Sequence, residues 1–168
     1  MILKGEWITL QRMTREECHD LYSKYEEDPQ MTEEEFVYDK NKVDTYFDVK
    51  TNESNRLVFS IKNNDEIIGE IQLKRINNTQ KEATLSILIA NDSYKNKGYG
   101  TEAEKLIIDY AFDVLNLNRI LADTTKRNNR SKYVLKKLGF KFLYTDNCME
   151  YFELNKKFYS SQKQSVRG

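Results

Sequence analysis

The run Lys95-Asn96-Lys97-Gly98-Tyr99-Gly100 stands directly before an amphipathic stretch, TEAEKLIIDYAF. A loop that enters a helix N-terminus presents unpaired backbone N–H groups and the positive end of the helix dipole, which suits an anion. Glycines at 98 and 100 would let that backbone approach the anion with no Cβ in between. One exposed dipole contact is worth only about 0.3–1 kcal/mol, so several amides must converge on one diphosphate for useful affinity. A tight turn with no ligand is the plainest alternative. A dinucleotide fingerprint is another, because Gly98-x-Gly100-x-x-Ala103 fits its relaxed form and Asp123 follows 20 residues after Ala103. Against it, seven residues separate Ala90 from Gly98, whereas a dinucleotide loop follows its strand almost at once. Three antiparallel-type strands also come first, and the 65 residues after Ala103 are too few for a doubly wound sheet.

Periodicity predicts the elements that must hold this loop. EWITLQRM reads as a first strand. Thr14 with Glu17 then forms a capping box, opening a helix with Cys18, Leu21, Tyr22 and Tyr25 on one face. The segment DPQ, Asp28 to Gln30, ends that helix, and Val43, Tyr46 and Phe47 mark a second. LVFSIK, IIGEIQLKRI and ATLSILIA, separated by NNDE and NNTQKE, form a meander of adjacent antiparallel strands. After the glycine loop, Ala103, Leu106, Ile107, Tyr110, Ala111 and Val114 follow the spacing of one buried helix face, with Thr101 and Glu104 as its capping pair. RILADT is a fifth strand. A further helix begins near Asn128, carries Ser131, Val134, Leu135 and Leu138 on one face, and ends at Gly139 as its cap. KFLYT and CMEYFEL close the chain as strands. The expected order is β-α-α-β-β-β-α-β-α-β-β, a single α/β domain over residues 1–155 with a mixed, mostly antiparallel sheet. Residues 156–168 are expected to be a polar, fraying tail.

Bulk properties narrow the function. The 168 residues carry 27 Lys plus Arg against 27 Asp plus Glu, for a net charge of zero, which argues against binding nucleic acid through bulk charge. The longest apolar run, LSILIA, is far too short to span a membrane. MILKGEW lacks a signal-peptide layout, so a cytoplasmic location is expected. Cys18 and Cys148 lie 130 residues apart with no metal-ligand spacing around them; they read as reduced thiols, and no metal is expected. His19 reads as a surface residue, and the strip Cys18, Tyr22, Tyr25 as core.

Two motifs together resemble the GNAT acyltransferase superfamily. Its acetyl-CoA loop, Gln/Arg-x-x-Gly-x-Gly/Ala, overlays Lys95 to Gly100, and YKNKGYGTEA is similar to the run that opens the third helix in many members. Its second signature, an Asn after the fifth strand followed by a helix ending Leu-Gly-Phe, is matched by Asn128 and Leu138-Gly139-Phe140. The resemblance covers roughly residues 6 to 155. It implies that strands four and five, ATLSILIA and RILADT, splay apart around the pantetheine arm of acetyl-CoA. The amides of Asn96, Lys97, Gly98, Tyr99, Gly100 and Thr101, with Lys95 ahead of them, would hold the pyrophosphate. Backbone groups of Ile87, Leu88 and Ile89 would pair with pantetheine like an added strand. Asn128 would bond pantetheine or the substrate edge, and Arg130, with Lys126 and Arg127, could reach the 3′-phosphate.

The implied reaction is attack of a neutral amine on the acetyl thioester, with a backbone N–H of strand four stabilising the oxyanion. The tyrosine that many members use as acid is replaced by Leu135, and Tyr133 lies about 160° away around the helix. Asn128-x-x-Ser131-x-x-Val134-Leu135 instead resembles the ribosomal-protein N-terminal acetyltransferase branch, which makes Ser131 the candidate partner of the thiolate. Many relatives carry a basic Glu where this chain has Thr84. Asp123, Glu82 and Glu70 are therefore the candidate bases. The acceptor is expected to be a primary amine, foremost a protein N-terminus. The alternatives are a small amine, such as a polyamine or an aminoglycoside, and a non-catalytic acyl-CoA-binding module. The acidic run Glu33 to Glu35 reads as a solvated helix start that could also greet a cation. Neither nucleic acid nor membrane is an expected partner, and a homodimer is compatible with the chain.

Overall fold

The structure, a computed structural model, describes residues 1–167. In chain order the elements are β1 (Ile2–Lys4), β2 (Thr9–Arg12), α1 (Arg15–Lys24), α2 (Lys40–Asn52), β3 (Leu57–Asn63), β4 (Glu66–Asn77), β5 (Glu82–Ile89), α3 (Tyr99–Asp113), β6 (Arg119–Thr125), α4 (Asn129–Lys137), β7 (Lys141–Thr145), β8 (Met149–Asn155) and α5 (Lys156–Arg167). The strands form one sheet in the order β1-β2-β3-β4-β5-β6-β8-β7. All neighbours are antiparallel except β5 and β6, which run parallel. The expected α/β class and mixed, mostly antiparallel sheet are what is found.

β4 is the centre of the sheet, buried from Ile67 to Leu73 with helices over both faces. Over one face, α3 and α4 pack Ala103, Ile107, Ile108, Ala111 and Leu135 onto Ile71, Leu73 and Leu85. Over the other, Cys18, Leu21 and Tyr22 of α1 and Val43 of α2 pack onto Val58 and Ile67. Asn turns set the meander: Asn64 takes φ 55°, and the Asn77 side chain accepts from the Thr79 and Gln80 N–H groups. The Thr14–Glu17 capping box is present, and Gly139 follows α4 at φ +101°, the left-handed C-cap expected of it.

Five expectations are corrected. A short hairpin strand, β1, precedes the expected first strand, which covers only Thr9–Arg12 of EWITLQRM. Residues 156–167 form α5 rather than a fraying tail, because Tyr159 packs on Phe112 and donates to Asp109 at 2.8 Å; Gly168 lies outside the described residues. Thr101 and Glu104 do not cap α3. Gly98 does so in left-handed conformation, φ +84°, and Glu102 instead accepts from the Trp7 and Ile8 N–H groups at 3.1 Å each, tying the N-terminal hairpin to the helix. Finally, Glu33 to Glu35 precede α2 by several residues and belong to an irregular segment, 25–39. His19 is also less exposed than expected, bridging α1 to Asp44 of α2 at 2.6 Å.

Candidate active site

β5 and β6 pair only from Glu82 with Arg119 to Leu85 with Ala122. Beyond that point β5 continues along β4 to Ile89, while β6 continues along β8 to Thr125. The strands therefore part, as the resemblance implied. The Ala90 N–H donates to the Ile68 carbonyl at 2.8 Å. Antiparallel pairs alternate between bonded and non-bonded positions, so Ser86, Leu88 and Ala90 bond across to β4. Ile87 and Ile89 turn their N–H and C=O groups into the gap.

A groove runs through this gap. β5 contributes Leu85, Ser86, Ile87 and Ile89 to it, and β6 contributes Ala122 to Thr125. The N-terminal turn of α3 adds Gly98 to Thr101 and Glu104, and α4 adds Asn128, Arg130, Ser131 and Tyr133 to Leu135. Tyr25, Asp28 and Met31 enter from the α1 side. Since Ile87 and Ile89 pack with the α3 core and Leu88 with the α1 core, the groove is open to both faces of the sheet.

At the glycine loop, the Glu102 N–H closes the first turn on the Gly98 carbonyl at 3.0 Å. The N–H groups of Tyr99, Gly100 and Thr101 then have no partner within the helix. A Cβ on Gly100 would meet only the Ile87 side chain at 3.8 Å, an ordinary contact. Lys95 does not point a free charge at this site. Its ammonium lies 3.1 Å from Asp28 and 3.2 Å from Asp92. Burial opposes the Asp28 charge, but the Gln30 N–H and the Lys95 ammonium outweigh it and hold that carboxyl below its usual range.

Segment 25–39 is fastened over the other opening. The Glu26 N–H donates to the Ala90 carbonyl at 2.8 Å, Asn91 Nδ2 to the Lys24 carbonyl at 3.1 Å, and the Thr125 hydroxyl to the Gln30 carbonyl. Phe36 packs edge-on against Tyr25 and tilted against Tyr22. The segment carries seven carboxylates, Glu26, Glu27, Asp28, Glu33, Glu34, Glu35 and Asp39, and no Lys or Arg.

Most residues singled out from the sequence converge here. Ile87, Ile89, Lys95, Asn96, Gly98, Tyr99, Gly100, Thr101, Asp123, Asn128, Arg130 and Ser131 all line the groove. Three do not. Leu88 faces the α1 core, and Lys97 is exposed away from the lining. Glu82 sits at the paired end of β5, 3.2 Å from Arg119, which also holds Glu153 at 2.6 Å. Glu70 lies under α1 and α2, accepting from the Tyr22 and Tyr46 hydroxyls and from Gln72. Burial pushes its carboxyl up to about 7, yet it does not reach the groove. Asn128 is 7% exposed and caps α4 by accepting from the Ser131 N–H at 3.0 Å, which spends its oxygen on the helix. Leu135 lines the groove where the acid was missed, and Tyr133, 66% exposed, forms the outer rim.

Sequence reasoning missed Asp28, Met31, Tyr94, Glu104 and Met149; Tyr25, read as core, packs against the α1 core and lines the groove as well. The Glu104 signal was present, since it follows Gly100 by four residues and so shares its helix face. Irregular segment 25–39 offers no such periodicity.

Comparison with known proteins agrees with this geometry. Residues 8–141 match the family described as Acetyltransferase (GNAT) domain. Spermidine N(1)-acetyltransferase of Escherichia coli (strain K12) is 35% identical over 82 residues, 49% of this chain and 44% of that protein, so the chain spans less than half the length of that curated relative. The structure of spermidine N-acetyltransferase from Vibrio cholerae in complex with CoA and spermine superposes with a TM-score of 0.79 at 16% identity, over 93% of this chain and 99% of that one. That of a putative ribosomal-protein-serine acetyltransferase from Vibrio cholerae gives 0.77 at 16% identity, over 92% and 97%. At such identities the two structures speak for the fold alone, whereas the match over residues 8–141 places the chain itself in the GNAT acetyltransferase family.

Proposed function

We propose that the protein transfers an acetyl group from acetyl-CoA to a primary amine of a small polycation of the polyamine class. The observation that carries the acceptor is segment 25–39, which lines the groove through Tyr25, Asp28 and Met31 and carries seven carboxylates with no Lys or Arg of its own. A field of one sign at a cleft mouth concentrates and steers a cationic substrate. The amides of Tyr99, Gly100 and Thr101 supply the diphosphate site. Ile87 and Ile89 offer an unpaired strand edge to the pantetheine arm, and one of their N–H groups faces the developing oxyanion. Lys95 acts by tying the acceptor segment to the glycine loop, and Arg130 is left for the 3′-phosphate.

A polyamine nitrogen resembles that of lysine, whose ordinary value near 10.4 leaves it neutral only about once in a few thousand at pH 7. A base is therefore needed. Asp123, on the groove wall, takes the proton through a water, and the Ser131 hydroxyl donates to the departing sulfur. A protein N-terminal amine is the second reading, favoured by Ser131 and Leu135 sharing the groove. The test is thiol release from acetyl-CoA with spermidine and, separately, with Ser- or Ala-initiated peptides. The expected result is higher kcat/KM for spermidine, falling with added salt. Faster turnover of a peptide would overturn the acceptor, and no turnover with any amine would leave a non-catalytic acyl-CoA-binding module.

A further inference from the structure

Glu104 is a buried acid that the rest of the protein leaves unanswered. It is 5% exposed, it lines the groove, and its Oε2 has no hydrogen-bond partner among the described residues. A buried polar atom normally has a partner, and leaving it without one is costly. Along a groove, that partner arrives with the ligand. Glu104 lies four residues after Gly100 and three after Thr101, so it stands one turn further in on the same face of α3. Leu85 and Ala122, the last pair before β5 and β6 part, line the groove with it. The acid therefore belongs to the inner end of the groove and the glycines to its mouth.

We propose that Glu104, as a neutral carboxylic acid, donates a hydrogen bond to a carbonyl of the thioester-bearing arm, and so makes retention of acetyl-CoA depend on pH. This rests on the acetyl-CoA reading above. The arm carries amide and thioester carbonyls that accept hydrogen bonds; an ionised carboxylate has no proton to give and would repel them. Burial alone pushes the Glu104 carboxyl up to about 8, so the neutral form prevails at pH 7. Other titratable groups share the groove: Asp123 on β6, Arg130 and Tyr133 on α4, Tyr99 on α3, Lys95 with Asp28, and Tyr25 and Tyr94. None of them contributes to the displacement at Glu104.

The experiment is calorimetric titration with acetyl-CoA at pH 7, 8 and 9 of wild type, Glu104→Gln and Glu104→Leu. Acetyl-CoA has no free thiol, and its phosphates, with a second ionisation near 6, do not titrate in this window. For an acid near 8 whose ionised form does not bind, the wild-type Kd rises about tenfold between pH 7 and pH 9. Glu104→Gln, which keeps a donor, stays flat within about twofold. Glu104→Leu is also flat, but about fivefold weaker than wild type at pH 7. A wild-type Kd that is flat, or that rises in parallel with Glu104→Gln, overturns the proposal, and the wild-type series alone suffices for the first of these. Binding without Glu104 dependence sinks only this inference, while no binding at any pH sinks the acetyl-CoA reading with it.

Discussion

The two loop glycines are not equivalent, and alanine at each should push stability in opposite directions. Gly98 holds φ +84° with open space around a hypothetical Cβ, its nearest neighbour being Trp7 at 4.0 Å. Alanine there meets backbone strain rather than crowding, of about 1–2 kcal/mol for an L-residue in a left-handed conformation. At roughly 2–4 °C per kcal/mol in a domain of this size, Gly98→Ala should lower Tm by about 2–8 °C. Gly100 lies inside α3 with ordinary helical geometry, and its Cβ would meet Ile87 at 3.8 Å. Replacing a helical glycine with alanine gains about 0.5–1 kcal/mol, a rise of roughly 1–4 °C. Acetyl-CoA at a hundredfold excess over Kd should then add about 2.7 kcal/mol to wild type, roughly 5–10 °C. Thermal unfolding with and without acetyl-CoA reads all of these values. Gly100→Ala should keep the ligand shift, because its amide stays in the helix. Gly98→Ala should lose most of it, because the amides of Tyr99 to Thr101 are re-aimed. If both variants destabilise alike, the backbone argument is wrong. If Gly98→Ala keeps the full ligand shift, those amides do not hold the diphosphate.

Three further outcomes are expected. Asp123→Asn should lower kcat about tenfold or more and Ser131→Ala by a smaller factor, while Glu82→Gln stays within about twofold because Glu82 serves Arg119 outside the groove; steady-state kinetics with spermidine would refute the roles if all three matched wild type. Glu104→Gln should be more stable than wild type by a margin that widens as pH rises. The folded-state value of the acid is raised from 4.5 to about 8, so the unfolded chain sheds its proton first and wild type loses up to about 1.4 kcal/mol per pH unit across that window; a constant margin in urea unfolding at pH 5, 6, 7 and 8 would refute it. Converting Glu26, Glu34 and Glu35 to Gln should raise the KM for spermidine and flatten its salt dependence while leaving the acetyl-CoA Kd unchanged; an unchanged KM removes the electrostatic argument for a polycation.

Local signals with a strict geometry were the ones legible in the sequence. The alternation and turn residues of the meander, the Thr14–Glu17 box, Gly139 and the spacing from Gly98 to Asn128 each fix a backbone shape through neighbours close in the chain. What failed needed distant partners. Glu102 and Glu104 sit in the same helical turn, and only the arrival of the Gly5–Ile8 backbone distinguishes the one that is satisfied from the one that is not. Lys95 read as a phosphate ligand because Asp28, its partner, lies 67 residues away. Glu82 shared a strand with groove residues, but the point where β5 leaves β6 decides which of them face the gap. Helix α5 read as a polar tail because its anchor, Tyr159, finds Phe112 and Asp109 only in the folded core.

The four-residue junction of β5 with β6 has a mechanical meaning as well. Among the described residues it is the only backbone ladder joining the five-strand half of the sheet to the three-strand half, and parallel pairing is the weaker kind per residue. Without ligand the sheet is therefore two panels on a short seam, which should be where amide exchange first reports opening. A pantetheine arm bonded to the free edge of β5 would lengthen that seam from within, so that the substrate acts, for as long as it stays, as a stitch in the fold.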